Sequence, residues 1–559
     1  MKIPSILILT GLLAVFAADA GAVTGETAKQ LAARAAAPLF EGLGKHQHAV
    51  TTKDPDAQRY FNQGLILAFA FNHAESVRSF KAAQRLDDDC AMCFWGEALA
   101  TGPNINVTSK GKVIMSEMES IAAYAALQKA IARKDKVSVP ERDYIDALAA
   151  RYGSDPKAGR EAFDLAYAKS MGALAKKYPD DLDASALSAE ALMNTMPWDY
   201  WSQKGEPKPA TLEVLALLEA ALARNPDHPL AIHLYIHATE ASRNPEKAEA
   251  AADRLGALVP GAGHLVHMPA HTYWRVGRYH DAAEVNVRAA KVDEGYIAQC
   301  NAQGFYPALY YPHNIHFLWS ASSMEGRSKV AIDSAIKLGE KVTVAQIKQF
   351  PVIEAFHTIP LLALTQFAKW DDILAAPKPL EAFDYSNAIW HYARGVALAA
   401  KQQPGMALNE HQALVSRKHT KSIQFLDDNG QPASQLLEIA DQLLLGEIAL
   451  AKGDPNTSVT HFTKAVEIQD QLPYTEPPFW YYPTRQSLGY ALLAAKRNAE
   501  AEAVYRLDLE HYPRNGWSMI GLILSLEAQD KQAEAAPQRE KFTAIWAEAD
   551  FPLTTSRLH

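Results

Sequence analysis

The sequence predicts an all-α protein built as a superhelical array of helical hairpins. Three observations predict this fold. Small and aromatic residues recur with a period of 34 residues, alternating apolar runs of the kind that form strands are rare, and Pro, Gly and Asn gather at breaks between helical segments. Each hairpin would bury one face against its neighbours, so we expect a solenoid of roughly ten or more hairpins.

The repeat unit is defined by a few small, aromatic and proline positions. Counting from Ala57, Gly64 is the eighth residue and Phe80 the twenty-fourth. Pro226 and Pro260 stand 34 residues apart and frame a further unit over residues 229–262. Small and aromatic residues are needed at these places because two helices approach closely there. The spacing is that of the tetratricopeptide repeat, which predicts a superhelix with a concave inner surface.

The array is predicted to run from residue 57 to residue 549, after an N-terminal segment over 21–56 and before a tail over 550–559. Loop insertions are expected near residues 101–106, 196–209, 298–311 and 423–432, where helix breakers gather.

The N-terminus has the pattern of a secretory signal peptide. Lys2 precedes an apolar run over residues 3–17, and Ala18-Asp19-Ala20 forms a small-residue cleavage site, so residues 1–20 are predicted to be removed. The run is shorter than the roughly 20 residues that a membrane-spanning helix needs. We therefore expect an exported protein, periplasmic or secreted. The net charge of −9, without a basic cluster, argues against a nucleic-acid partner.

Histidines occupy the positions that face the predicted groove. On the first helix of each hairpin, positions 2, 5, 9 and 12 lie on one side, away from the packing positions. Three consecutive units begin at Pro229, Gly263 and Pro312. In this register the groove-facing set is His233, His237, Glu240, His264, His267, His271, His313 and His316.

This set predicts a metal site in the groove. His233-x-x-x-His237-x-x-Glu240 places two imidazoles and a carboxylate on one helix face, a combination that binds Zn, Cu or another first-row ion. Metal-dependent chemistry on a small molecule is one use for such a site. The alternatives are a histidine-lined groove that binds an anionic ligand, a peptide- or protein-binding scaffold without metal, and plain hydrogen bonding between helices. Nothing in the sequence identifies an open coordination position or an acid–base pair, so no enzyme is predicted.

Two further groups of residues are candidates for function. Polar and aromatic side chains on the preceding unit and in the insertions are candidate ligand-binding residues: Glu190, Asn194, Trp198, Asp199, Trp201, Tyr310 and Tyr311. Cys90 and Cys93 lie at the predicted start of a helix, where a redox pair, small packing residues or a local disulfide are all compatible with the spacing.

The sequence resembles a family of exported bacterial tetratricopeptide-repeat proteins. The stretches that carry the resemblance are spread along nearly the whole mature chain and lie at residues 60–64, 70–73, 102–106, 197–199, 235–238, 263–271, 311–314 and 476–483. The resemblance implies a repeat solenoid and brings no established reaction, so the functional hypothesis depends on the histidines.

Overall fold

The computed structural model describes residues 28–109, 111–202, 205–300, 302 and 304–558. The predicted signal peptide over residues 1–20 lies outside the described residues. Within them the protein is all-α, a tetratricopeptide-type superhelix of helical hairpins. Two strands of two residues each, β1 (Thr108–Ser109) and β2 (Lys112–Val113), form a small antiparallel hairpin in the first predicted insertion.

Consecutive helices pack as hairpins along the chain. The N-terminal part contains α1 (Ala28–Ala35), α2 (Pro55–Phe69), α3 (His73–Leu86), α4 (Ala91–Thr101), α5 (Glu117–Ile131), α6 (Val139–Ala149), α7 (Arg160–Lys177), α8 (Leu182–Met193) and α9 (Pro209–Arg224). The central part contains α10 (Pro229–Glu240), α11 (Glu249–Leu258), α12 (Gly263–His267), α13 (Pro269–Arg275), α14 (Tyr279–Cys300), α15 (Tyr311–Met324), α16 (Ser328–Lys341), α17 (Val344–Gln349), α18 (Ile359–Gln366) and α19 (Trp370–Ala375).

The C-terminal part completes the array. It contains α20 (Asp384–Ala400), α21 (Pro404–Val415), α22 (Lys421–Asp428), α23 (Ala433–Ala451), α24 (Pro455–Gln469), α25 (Arg485–Ala494), α26 (Asn498–His511), α27 (Gly516–Glu527) and α28 (Gln532–Ile545). The buried apolar side chains form two large clusters, one in each half of the chain, which meet at α14 and α15. Every helix among the described residues is too short or too polar to cross a membrane.

Close approach of helices explains the glycines of the repeat. A Cβ on Gly64 would lie 2.9 Å from the Phe80 ring, and one on Gly446 would lie 2.2 Å from the Phe462 ring. The eighth and twenty-fourth positions of a unit therefore touch within the same hairpin, as the repeat pattern predicts. A side chain larger than hydrogen at either glycine would force the two helices apart.

Two of the expected insertions differ from a simple loop. Over residues 298–311, α14 continues to Cys300, and a π-helical turn over Tyr306–Tyr310 leads directly into α15. Over residues 423–432, the expected loop is replaced in part by α22, because Ile423 and Leu426 are buried on one face of a helical turn. The proline and glycine of this stretch interrupt the helix only after Asp428, where α22 ends.

The N-terminal segment is held against the array before α2 begins. The Gly42 carbonyl accepts a hydrogen bond from the Gly261 N–H (2.8 Å). His46 and His48 contact the two carboxylate oxygens of Asp183, at 2.9 Å and 2.8 Å. These contacts attach residues 36–54, which we call the N-terminal strap, to α8 and to the end of α11.

Candidate metal centre

Helix α10 carries His233, His237 and Glu240 on one buried face, because residues three and four apart lie on the same side of a helix. The Nδ1–H of His233 donates to the Phe69 carbonyl at 2.7 Å, and the Nδ1–H of His237 donates to Glu240 Oε1 at 2.7 Å. In a neutral imidazole the other nitrogen then holds a lone pair. Nε2 of each histidine is buried without a hydrogen-bond partner, so both are available as metal ligands.

The first helix of the next hairpin brings His267 and His271 together. The Nδ1–H of His267 donates to Asn286 Oδ1 at 2.7 Å; this oxygen is fixed as an acceptor because Asn286 Nδ2 donates to the Ala282 carbonyl. The Nδ1–H of His271 donates to Glu240 Oε2 at 2.5 Å. The two Nε2 atoms face each other at 2.8 Å, which is the distance of an N–H···N hydrogen bond. A proton on one of them makes the contact favourable, and both would hold lone pairs for a metal once that proton is lost.

Helix α12 ends at His267 and α13 begins at Pro269, so this histidine segment is not one continuous helix. Proline has no N–H to donate and interrupts the hydrogen-bond ladder. The backbone at Met268 nevertheless keeps right-handed helical angles (φ −50°, ψ −36°), which preserves the phase between the two short helices. His267 and His271 consequently remain on the same side, as their spacing predicts.

His264 and His313 complete two groups of three imidazoles. We call His233, His237 and His264 the first triad, and His267, His271 and His313 the second triad. In each triad the ligand nitrogens all lie within 4.8 Å of one another. The triads are neighbours, since the rings of His237 and His271 are 5.3 Å apart and those of His264 and His267 are 5.8 Å apart. Both ring nitrogens of His264 are buried without a partner.

Burial keeps the imidazoles in the neutral form that binds metal. Desolvation, helped by neighbouring imidazoles, lowers the pKa of His233, His264, His267 and His313 well below the usual value of 6.5. The pKa of His237 is also lowered by burial, although its hydrogen bond with Glu240 opposes the shift. The five side chains are therefore uncharged ligands at neutral pH.

Glu240 connects the two triads by accepting hydrogen bonds from His237 of the first triad and His271 of the second triad. Burial acts to raise the pKa of its carboxyl group, but the charge and hydrogen bonds of His271 and His237 outweigh burial and lower it to about 2. A carboxylate that accepts from the Nδ1–H of a histidine fixes the ring orientation and aims Nε2 at a metal. The hydrogen bonds thus favour an orienting role for Glu240 over the ligand role that its spacing predicts.

A second carboxyl group reaches the site from the far end of the chain. Glu476 Oε2 lies 3.5 Å from His271 Nδ1, and the Tyr474 hydroxyl donates to Glu476 Oε1. Burial, together with the negative charge of Glu240, raises the pKa of Glu476 well above its usual range. Neither Tyr474 nor Glu476 is predicted from the sequence to belong to the site; the one signal is that Glu476 begins the resembling stretch at 476–483.

The predicted open groove is enclosed at the histidines. The side chains of His233, His237 and His267 are at most 1% exposed. Aromatic rings cover the histidines. The distances between ring centroids are 4.5 Å for Phe71 and His233, 5.1 Å for Trp198 and His237, 4.8 Å for Tyr310 and His264, and 4.8 Å for Phe317 and His267. Two of these rings, those of Trp198 and Tyr310, come from the insertions, where large aromatic side chains are stabilised by packing over the site. Trp198 is 38% exposed and His313 is only partly buried, so the centre approaches solvent at both of these residues.

Several predicted site residues lie elsewhere. The ring of His316 stacks on Trp319 at 5.2 Å and contacts Phe356, so it belongs to neither triad. Three candidate ligand-binding residues have their own partners: Trp201 donates to the Ala238 carbonyl, Tyr311 donates to Glu294, and Asp199 pairs with Lys208. Of the aromatic candidates, Trp198 and Tyr310 are therefore the ones that touch the histidines.

Glu190 lies half-buried on α8 and Asn194 lies buried directly after it, and neither makes a hydrogen bond or ring contact to the triads. Burial raises the pKa of Glu190 to about 7, against the opposing charge of Arg151. Both amide atoms of Asn194 lack a hydrogen-bond partner. Their predicted place in a ligand site remains a prediction.

Cys90 and Cys93 form a disulfide at the start of α4. Of the possibilities that the spacing allowed, the structure therefore has the local disulfide. Both residues are fully buried, and they lie apart from the histidines in the described part of the chain.

Comparison with known proteins adds no function. No protein-family model matches the sequence, and a search of curated proteins gives no match. Similar solved structures include a human IFIT1 dimer with m7Gppp-AAAA (13% identity, 89% of this chain and 92% of that chain, TM-score 0.33) and yeast Tom70 (10% identity, 87% and 93%, TM-score 0.27). The P58(IPK) TPR domain is also similar (11% identity, 88% and 93%, TM-score 0.20).

Proposed function

We propose that this protein binds transition-metal ions, Zn or Cu, through its two histidine triads. The observation that carries the proposal is the gathering of six imidazoles into two groups of three, in each of which the ligand nitrogens lie within 4.8 Å of one another. Nε2 of His233 and of His237 and both ring nitrogens of His264 are buried without a hydrogen-bond partner, so they are free to bind an ion. Imidazole nitrogens are ligands that suit Zn, Cu, Fe and Ni.

Each triad offers three imidazoles to an ion that commonly takes four ligands, so one coordination position is left open. An open position is typical of sites where a metal binds water or a small molecule during catalysis, whereas structural sites are closed. Trp198 provides the partly exposed side of the centre through which such a molecule would approach. Metal-dependent chemistry on a small molecule therefore remains part of the proposal.

The test is metal analysis of the protein purified without a histidine tag. After metal removal and reloading with Zn²⁺, we expect stoichiometric binding to the wild type and loss of that binding in His237→Ala/His267→Ala, which takes one ligand from each triad. The matched control is His391→Ala/His411→Ala, whose imidazoles pair with Glu410 and Asp441 in other hairpins. A wild-type chain without bound metal, or a control double variant that also loses it, contradicts the proposal.

A protein-binding scaffold is the second candidate function. The repeated helical hairpins favour it, because such arrays present extended surfaces to partner proteins. The burial of His233, His237 and His267 argues against a peptide seated on the histidines themselves. If the metal analysis is negative, capture of a partner by another surface of the array becomes the leading explanation.

We also propose that the protein is exported. The signal-type N-terminus supports this, and so does the Cys90–Cys93 disulfide, because disulfides persist mainly in oxidising compartments. Expression of the full chain in a bacterium and mass measurement of the periplasmic fraction should give a mature protein that begins at Gly21. Recovery of the intact chain from the cytoplasm alone would contradict export.

A further inference from the structure

We infer that the centre holds a pair of copper(I) ions, one on each triad. The inference rests on the proposed metal binding and goes beyond it by fixing the number, the charge and the identity of the ions. It is argued from the grouping of the ligand nitrogens, from their coordination number and from the charge around them.

The ligand nitrogens are grouped in threes. Those of the first triad lie within 4.8 Å of one another, and so do those of the second triad. One octahedral ion with bonds near 2.1 Å would need all six nitrogens within about 4.2 Å of one another, a span set by twice the metal–nitrogen distance. Two ions with three ligands each fit the grouping. Since rings of different triads approach to 5.3 Å and 5.8 Å, the two ions would be neighbours, as in two-metal sites.

Charge favours monovalent ions. Among the described residues, the carboxylates within 4 Å of a triad nitrogen are those of Glu240 and Glu476, which supply at most two negative charges. Asp293 lies beside Gly263, but its oxygens accept from Tyr306 and Asn314.

Two divalent ions would therefore leave two positive charges uncompensated in a buried site. The guanidinium of Arg275, 5.4 Å from the Tyr474 ring, would add to that charge. Burying unpaired charge is strongly unfavourable. Two monovalent ions bring two fewer positive charges into the site than two divalent ions, and among metals that imidazole binds well, copper is the one with a stable monovalent state.

The first test is copper stoichiometry. The metal-free, untagged full chain is loaded anaerobically with Cu⁺, freed of excess ion and analysed for copper. We expect two ions per chain in the wild type, one in His264→Ala, one in His313→Ala, and two in His316→Ala. The last variant is the matched control, because His316 lies on the same helix as His313 but outside the triads. One ion in the wild type, or loss of both ions in either triad variant, overturns the inference.

The second test needs no variant. Ferricyanide takes one electron from each Cu⁺ and becomes ferrocyanide, and the Cu²⁺ that stays bound is measured after gel filtration. Neighbouring Cu²⁺ ions couple magnetically, so we expect an electron paramagnetic resonance signal well below two spins per chain. Two full spins would show that the ions are not neighbours and would overturn the inference.

Competition separates monovalent from divalent occupancy. With equimolar Cu⁺ and Zn²⁺ under anaerobic conditions, we expect copper in both triads. A centre filled by zinc would overturn the assignment of monovalent ions to the triads. The outcomes also distinguish this inference from the proposed function. A chain that binds a single ion, or two zinc ions, excludes the copper pair and leaves metal binding in place, whereas a chain that binds neither metal excludes both.

Discussion

Replacing His264 by Phe is expected to stabilise the metal-free protein while removing one metal ligand. Both ring nitrogens of His264 are buried without a hydrogen-bond partner, and each such group costs about 1 to 3 kcal/mol of folding free energy. The ring lies among Phe71, His233 and Tyr310, so an apolar ring of similar shape keeps the packing. At neutral pH we expect the variant to unfold at a higher urea concentration than the metal-free wild type.

The same substitution should change the pH dependence of stability in a defined direction. The pKa of His264 is lowered well below 6.5 in the folded protein, so below that pH the unfolded chain takes up a proton that the folded chain does not. The loss of stability that comes from His264 is absent above about pH 6.5 and grows by about 1.4 kcal/mol per pH unit below it. His264→Phe removes this loss, and its advantage over the wild type should widen between pH 6.5 and pH 5.

Comparing the two proteins cancels the titration of groups that do not interact with His264. The measurement is urea unfolding of both metal-free proteins at several pH values, followed by circular dichroism. A control with His316→Phe shows whether any buried histidine gives the same effect at neutral pH. An advantage of His264→Phe that stays constant with pH would mean that His264 is charged or hydrogen-bonded in the folded protein.

Replacing Glu240 by Gln is expected to weaken metal binding by about 10 to 100-fold, the usual cost of losing a carboxylate that orients metal-binding histidines. Glu240 accepts from Nδ1–H of His237 with one oxygen and of His271 with the other. A glutamine keeps one acceptor but presents an N–H to the other imidazole. That imidazole must then move its proton to Nε2, the atom that would bind the metal.

Isothermal titration with Zn²⁺ measures the change, and Glu219→Gln is the matched control. Glu219 accepts from the Tyr235 hydroxyl on the same helix α10 but contacts no histidine. We expect the control to bind metal like the wild type. Equal affinity in Glu240→Gln would show that Glu240 has only a structural role.

Local periodicity was enough to predict the hairpins and most of the histidine centre. The repeat register depends on Gly64 and Phe80, which touch within one hairpin. The same register then assigned His233 and His267 to one side of their helices, and both point into the centre. Such predictions succeed because the period of the α-helix fixes the relative direction of side chains within one helix of a hairpin.

The register was a poor guide where neighbouring side chains or distant chain segments decide the contacts. His316 occupies the same repeat position as His233, but its ring packs on Trp319 and Phe356, although His313 on the same helix joins the second triad. Glu476 is brought to His271 from 205 positions away, and Phe71 covers His233 from 162 positions away. No periodic pattern predicts such long-range contacts.

The hydrogen bond from His233 to the Phe69 carbonyl and the approach of Glu476 to His271 tie the first hairpin and a late loop to the middle of the array. Repeat proteins are ordinarily modular, since each unit interacts only with its neighbours. Here a unit cannot be deleted, duplicated or exchanged between these anchor points without displacing a component of the centre. These long-range contacts therefore constrain how many hairpins can lie between them. We expect insertion or deletion of a hairpin to be tolerated only outside the stretch from α2 to Glu476.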